Sequence, residues 1–299
     1  MDRGSLKRAI RPLLPETQTP VWASPAFDDS KWENYDLSRV AGFMDVGFGF
    51  TGYVPGWNVK GHPGYWGYAW YRLRVDVTNT SDEPLALQGS KDLDDGYQLF
   101  DNGVLVGSFG KFPAGGKTPI TYPTQPQMFV LPGTKPEGGN RAEPKTHLLA
   151  YRVFMGPVTL KDFPDGGGLH TAPLLGTADE VADHYKSDWL ELERLGVYNL
   201  IFFILFLICT CAALVITLLD RNDRVYPWVT VVFALMAFSY GFTMLGSWTQ
   251  TFSGATGDVI FAIIFPLQFF VTVMMWWRWF RLQKPVGMPK LIVWFPYLA

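Results

Sequence analysis

Long apolar runs fill the C-terminal third of the chain. Three of them, at residues 197–219, 226–248 and 258–280, come close to the ~20 apolar residues that a hydrocarbon core of roughly 30 Å requires. Soluble proteins rarely contain three such uniformly apolar segments in succession with short connectors. The pattern therefore predicts three transmembrane helices, and Leu291 begins an apolar run that we interpret as the start of a fourth.

The part of the chain before residue 178 shows the two-residue period of β-strands instead. Residues 69–77 alternate, with Tyr71 and Leu73 on one face of the predicted strand and Trp70 and Arg72 on the other. No segment between the predicted strands shows the 3.6-residue period of a helix. We therefore predict an all-β domain ahead of the helices.

A hairpin is predicted where Asn102-Gly103 separates two short apolar runs, at 97–100 and 104–106. A type I′ turn needs φ > 0 at both central residues, and the Asn-Gly pair adopts this conformation readily. The run at 147–154 predicts a further strand. Short strands separated by Gly- and Pro-rich turns are typical of a β-sandwich, which we predict across residues 21–177.

Two further segments flank this predicted domain. Residues 1–20 are basic but contain no apolar core, so they do not form a complete signal peptide. Residues 178–196 are polar and weakly amphipathic, and they predict a linker helix that leads into the transmembrane helices of 197–299. Because the fourth apolar run is too short to span a bilayer, we expect the sequence to be part of a longer protein.

The charge of the connectors predicts how the helices cross the membrane. The first connector, 220–224, contains Arg221 and Arg224, and the third contains four basic residues between 278 and 290. The second connector, 250–257, contains no Lys or Arg. By the positive-inside rule the first and third connectors are cytoplasmic, which places the β-rich domain outside.

Composition and motifs argue against several classes of function. A net charge of −2, without a stripe of basic residues, argues against a nucleic-acid partner. Cys209 and Cys211 lie two positions apart in an apolar run, so they neither pair nor bind a metal together. No metal, nucleotide or nucleophile signature occurs. We expect no cofactor, no metal site and no catalytic residue in this part of the protein.

Four segments resemble the jelly-roll sugar-binding domain that precedes the catalytic barrel in family 2 glycoside hydrolases. They are 27–33 (FDDSKWE), 67–72 (GYAWYR), 94–107 (DDGYQLFDNGVLVG) and 148–153 (LLAYRV), and they follow one another in the family's order. The resemblance implies that the all-β domain is a galactose-binding-like jelly roll. The family's catalytic barrel does not follow, because the next segment is apolar.

An external jelly roll followed by transmembrane helices resembles the bacterial seven-transmembrane receptors with diverse intracellular signalling modules. This resemblance rests on architecture. It implies a receptor in the bacterial inner membrane, surrounded by lipid bilayer, whose jelly roll senses a ligand, for which we expect a carbohydrate. The helices would signal to a kinase, cyclase or phosphatase module beyond this sequence, and the receptor would be a homodimer. The alternative is a membrane-anchored carbohydrate-binding module that does not signal.

Sugar recognition needs flat aromatic faces and polar groups that bind hydroxyls. The Gly- and Pro-rich loop at 57–66 has this character, and three aspartates lie just before the hairpin. The candidate ligand-binding residues are Trp57, His62, Tyr65, Trp66, Asp92, Asp94 and Asp95. Two alternatives stay open: the aromatic residues pack within the fold, and the aspartates form a solvated turn or bind Ca²⁺, although their spacing is not that of an EF-hand.

Overall fold

The computed structural model describes residues 20–38, 53–78, 83–90, 93–113, 117–132, 145–157 and 166–282. The chain forms two compact units, Met1–Leu190 and Glu191–Ala299. The first unit contains the β-strands, and the second contains most of the apolar helical sequence.

Seven strands lie in the described part of the first unit. They are β1 (Gly67–Val77), β2 (Leu85–Gln88), β3 (Gly96–Asp101), β4 (Val104–Phe109), β5 (Met128–Val130), β6 (Lys145–Met155) and β7 (Leu174–Thr177). They form a four-stranded sheet in the order β1-β6-β3-β4 and a three-stranded sheet in the order β5-β2-β7, and every pair is antiparallel. The prediction of β-structure ahead of apolar helices is confirmed.

The hairpin between β3 and β4 forms where the Asn-Gly pair predicts it. Asn102 and Gly103 have φ angles of 48° and 87°, and Asp101 pairs with Val104 across the turn. Asn102 also binds the neighbouring strand, because its Oδ1 accepts a hydrogen bond from the backbone N–H of Leu148 at 3.0 Å. The turn therefore closes the hairpin and holds it to β6.

The pairing of β1 with β6 sets the two faces of the larger sheet. The register runs over the whole of both strands, from Gly67 opposite Met155 to Val77 opposite Lys145. Since side chains alternate between faces, Tyr71 and Tyr151 lie opposite each other on the face that packs in the core. Residues of the other parity lie on the opposite face, which we call the outer face.

Leu73 departs from the simple alternation. It has the parity of the core face, but it is 52% exposed. β1 is an edge strand of the four-stranded sheet, so the core covers its side chains incompletely. An exposed leucine on an edge strand needs no functional explanation.

One buried cluster receives side chains from both sheets. Leu87 comes from the three-stranded sheet, whereas Leu99 comes from the four-stranded sheet. Gly107 permits a close approach, because a Cβ at this position would lie 2.2 Å from Cε1 of Phe129. Tyr97 contacts the same Phe129 ring edge-on, with 6.1 Å between centroids. The two sheets therefore share this core cluster.

Three helices follow the strands: α1 (Ala178–Leu219), α2 (Tyr226–Trp248) and α3 (Gly254–Trp279). Each is long and apolar enough to cross a membrane. The 42 residues of α1 include both the predicted linker helix and the first predicted span. Pro266 lies inside α3. The predicted fourth span, which begins at Leu291, lies outside the described residues.

Hydroxyl groups in these helices form hydrogen bonds within their own helix. Thr210 Oγ1 donates to the Phe206 carbonyl at 2.7 Å, and Ser239 Oγ donates to the Leu235 carbonyl at 3.0 Å. The same bond to the carbonyl four residues earlier is made by Thr230, Thr243 and Thr272. The bond gives each hydroxyl a partner within its own helix in apolar surroundings, and Thr230 Oγ1 also lies 3.2 Å from Thr217 Oγ1 of α1.

Replacement of Gly107 by alanine should destabilise the first unit. The added methyl group would overlap the Phe129 ring, and overpacking of this kind costs about 1–3 kcal/mol. We expect a lower thermal unfolding midpoint, measured by near-UV circular dichroism of the full chain in detergent. Ser108→Ala, at the adjacent exposed position of β4, should leave the midpoint unchanged. Equal midpoints for the two variants would contradict the packing assigned to Gly107.

Candidate functional site

Trp57, the first predicted ligand-binding residue, lies in the hydrophobic core. It is 3% exposed, and its Nε1 donates a hydrogen bond to the Tyr65 carbonyl at 3.1 Å. The two rings also contact each other, with centroids 5.7 Å apart. The backbone N–H of Trp57 donates to the Gly167 carbonyl at 2.9 Å. Trp57 therefore fixes the predicted loop to the core, and its ring faces protein.

The other three loop residues differ in what they present to solvent. His62 is partly exposed, and its Nε2 lies 2.9 Å from Glu33 Oε2. The Tyr65 hydroxyl donates to the Tyr68 carbonyl at 2.5 Å, and burial raises the pKa of Tyr65 to about 12. Trp66 is 52% exposed. The part of these residues in ligand binding stays a prediction.

The predicted aspartates are held by the backbone. Asp94 Oδ2 accepts a hydrogen bond from the Gly167 N–H, and Asp95 Oδ2 accepts one from the Gly156 N–H. Asp92 lies outside the described residues. Among the residues that the structure describes, no group of three His, Cys, Asp or Glu side chains could hold a metal ion. Asp94 and Asp95 therefore help to fix the loops that follow β6.

A buried histidine completes the Asp94 arrangement. His170 is 1% exposed, with Nδ1 2.8 Å from the Val54 carbonyl and Nε2 2.8 Å from Asp94 Oδ2. A carbonyl can only accept, so Nδ1 donates. Nε2 faces the Asp94 carboxylate, so the imidazole joins the backbone of Val54 to Asp94. The ring also stacks on Tyr53, with 4.7 Å between centroids.

These contacts join three separate segments of the first unit. Residues 53–58, Asp94 and residues 166–170 meet around two glycines with positive φ. At Gly168, φ is +97° and a Cβ would lie 1.9 Å from the Tyr71 hydroxyl. The arrangement uses its polar groups to hold backbone in place, which is a structural role.

A second cluster lies on the outer face of the four-stranded sheet. The strand register places Arg152 of β6 between Trp70 of β1 and Gln98 of β3. Aromatic rings flank the guanidinium along the same face. We call this group the Arg152 patch, and it consists of Tyr68, Trp70, Gln98, Phe112 and Arg152.

Arg152 is partly buried and held on one side of the patch. Its guanidinium carbon lies 4.1 Å from the centroid of the Tyr68 ring, and its Nη1 donates to Gln98 Oε1 at 3.1 Å. Burial lowers the pKa of Arg152, and burial also raises the pKa of Tyr68 while the guanidinium opposes that rise. The side chains of the patch combine flat aromatic surface, an amide and a cation.

Sequence reasoning did not find the Arg152 patch as a site. The segment 148–153 predicts a strand, and its arginine, Arg152, enters the sequence analysis only as part of that strand motif. Gln98 and Trp70 become its neighbours through pairing between β6 and two distant strands. That register is not encoded in any local motif, so no short-range signal could have joined these residues.

Polar side chains also meet within the second unit. One cleft is lined by residues of all three helices: Asn199, Phe206, Met236, Ser239, Tyr240, Thr243, Phe261, Phe265 and Gln268. The amides of Asn199 and Gln268 are its most polar groups. Amides of this kind in apolar helices favour contact with each other, with water or with a polar ligand over contact with lipid.

Asp94→Ala should destabilise the first unit. The change removes the carboxylate that accepts a hydrogen bond from the Gly167 N–H and faces the His170 ring, and a buried unsatisfied donor costs about 1–3 kcal/mol. We expect a lower thermal unfolding midpoint for the full chain in detergent. Asp183→Ala removes an exposed ion pair with Lys186 and should change the midpoint little. An unchanged midpoint for Asp94→Ala, together with lost ligand binding, would make Asp94 a binding residue instead.

Comparison with known proteins gives distant structural neighbours. No protein-family model matches the chain, and no curated protein matches it. A calcium-binding mutant of β-glucuronidase 2 from Bacteroides uniformis is similar over 54% of this chain and 16% of its own length, with 20% identity and a TM-score of 0.32. The β-glucuronidase from Ruminococcus gnavus in complex with D-glucuronic acid is similar over 31% of this chain and 14% of its own length, with 11% identity and a TM-score of 0.23.

Proposed function

We propose that this chain is the sensory and membrane portion of a bacterial signal-transduction receptor. Its β-strands form a jelly-roll domain that binds a carbohydrate outside the inner membrane. Its helices relay binding to a cytoplasmic kinase, cyclase or phosphatase module. The chain itself has no catalytic role in this proposal, and two copies act together.

The position of helix α1 is the observation that supports the proposal most directly. Its first turns pack on the three-stranded sheet, where Val181 is fully buried and Gln88 Nε2 donates a hydrogen bond to Asp188 Oδ2. The same helix continues to Leu219 through the first apolar run. A displacement of the three-stranded sheet would therefore act on a helix that enters the membrane. A ligand can drive such a displacement only if it binds the two states with unequal affinity.

The orientation rests on the connectors between the helices. Arg221 and Arg224 lie between α1 and α2, whereas the segment between α2 and α3 contains no Lys or Arg. The positive-inside rule then favours a cytoplasmic first connector and an external β domain. A sugar-binding surface would in that case face the cell envelope, where glycans occur.

A specific observation favours a second candidate, a membrane-anchored carbohydrate-binding module that does not signal. The Arg152 patch lies on the four-stranded sheet, whereas α1 packs on the three-stranded sheet. A ligand at the patch would therefore bind on the sheet that does not hold the helix. Binding without a change in α1 is the behaviour that this second candidate requires.

The orientation predicts which connector a membrane-impermeant maleimide can reach. In a background of Cys209→Ser and Cys211→Ser, we expect Gln250→Cys to be labelled in intact spheroplasts. Asn222→Cys should be labelled only after the membrane is permeabilised, since it lies in the first connector. The reverse pattern would contradict the proposed orientation. Labelling of both positions after permeabilisation controls for the reactivity of the introduced thiols.

Hydrogen–deuterium exchange of the full chain in lipid nanodiscs tests the relay. With a panel of mono- and oligosaccharides, a receptor should show slower exchange in the β domain and altered exchange in residues 178–196. Gln88→Ala should weaken the second effect and leave affinity unchanged. Lys186→Ala, an exposed change on the same helix, should alter neither. A change confined to the β domain would favour the non-signalling module, and no response to any saccharide would contradict both functions.

A further inference from the structure

Arg152 is a partly buried cation on the outer face of the four-stranded sheet. Its one hydrogen bond with the described residues goes to the neutral amide of Gln98, and no carboxylate among them lies within ion-pair distance. A guanidinium has five N–H donors in a planar fork. Most of these donors therefore have no protein partner in the described part of the chain, and they are not among its fully buried atoms.

Arg72, on the same outer face, is an arginine with a structural role. Its side chain is 1% exposed, and its Nε lies 2.9 Å from Asp29 Oδ2, an ion pair whose angle falls outside hydrogen-bond geometry. Its other nitrogens donate to the carbonyls of Trp22, Ser24 and Phe27. Arg72 thus has a carboxylate beside it, whereas Arg152, on the neighbouring strand and the same face, has none among the described residues.

The guanidinium offers a place where an anion can bind. A partly buried charge is more favourable when an opposite charge lies beside it. Tyr68 covers one face of the group and Gln98 orients it. The N–H groups on the remaining edge of the guanidinium suit a carboxylate, which arginine binds through two parallel hydrogen bonds.

The neighbours of Arg152 indicate what carries the anion. Tyr68 and Trp70 lie two residues apart on β1, and Trp70 is directly opposite Arg152. Both rings are partly exposed, although Trp70 also packs on Phe100. Flat aromatic rings pack against the apolar faces of sugars. Gln98 and the exposed Ser108 pair with each other across β3 and β4 and provide donors and acceptors for hydroxyl groups. The patch thus combines a carboxylate site with a surface for a polyhydroxylated ring.

We infer that the Arg152 patch binds a saccharide that carries a carboxylate, with the carboxylate on Arg152. This inference rests on the proposed carbohydrate-binding function and makes its ligand class specific. The aromatic rings would hold the sugar ring, and Gln98 would both orient the guanidinium and contact a hydroxyl. Neutral sugars lack the group that would compensate the cation, so they should bind weakly.

Calorimetry on the full chain in nanodiscs tests the ligand class. The probes are trigalacturonate, its methyl ester and the mono-acids D-glucuronate and D-galacturonate, with D-glucose and D-galactose as neutral counterparts. We expect one or more of the acidic saccharides to bind at least tenfold more tightly than its uncharged counterpart. This comparison uses the unmodified chain, so it does not depend on whether a variant folds.

Variants of three arginines on the outer face test the site. Arg152→Gln should abolish the preference for the acidic saccharide, while Arg152→Lys should keep part of it. Arg74→Gln, an exposed arginine paired with Asp29, should leave the preference unchanged. Arg152→Gln should also keep or raise the unfolding midpoint, since it removes an uncompensated charge, whereas Arg72→Gln should lower it.

The outcomes separate this inference from the function on which it rests. Equal affinity for acidic and neutral saccharides, or a preference that survives Arg152→Gln, would overturn the inference and leave carbohydrate binding intact. Acetate or inorganic phosphate binding at Arg152 as tightly as the acidic saccharides would also overturn it. The absence of binding by every saccharide would contradict the inference and the proposed function together.

Discussion

The register between β1 and β6 is the constraint on which the rest of the first unit depends. These strands pair along their whole length, and a shift of β6 by one residue would exchange the two faces of that strand. Tyr151 would then leave the core, and Arg152 would enter it. The same pairing that buries the aromatic residues of one face therefore exposes the cationic and aromatic patch of the other.

Two devices hold this register against alternatives. The Asn102-Gly103 turn fixes β3 relative to β4, and its side chain binds Leu148 of β6. At the other end of the strands, Asp94 and His170 hold the glycine-containing segment at 166–170 against residues 53–58. Polar groups that the sequence predicts as ligand contacts thus also hold loops in place.

A feature can be predicted from the sequence when the residues that determine it are close together in the chain. The apolar runs and the Asn102-Gly103 turn are local features, and both kinds of element appear where the sequence predicts them. The prediction of the ligand-binding residues used local composition and assumed that the loop at 57–66 is exposed. Trp57 is buried because Gly167, which is distant in the sequence, and Tyr65, which lies in the same loop, cover it. The Arg152 patch requires three strands in register, and no window of the sequence contains that information.

The hydrogen bonds of the helix hydroxyl groups affect how the helices can move past one another. Thr210, Ser239 and Thr243 each donate to a carbonyl one turn earlier in their own helix. Between α1 and α2, rings such as Phe206 and Tyr240 stack at 5.5 Å, and the hydroxyls of Thr217 and Thr230 lie 3.2 Å apart. Stacked rings can shift a little with a small enthalpic change, whereas sliding of α1 along α2 would have to break the Thr217–Thr230 contact.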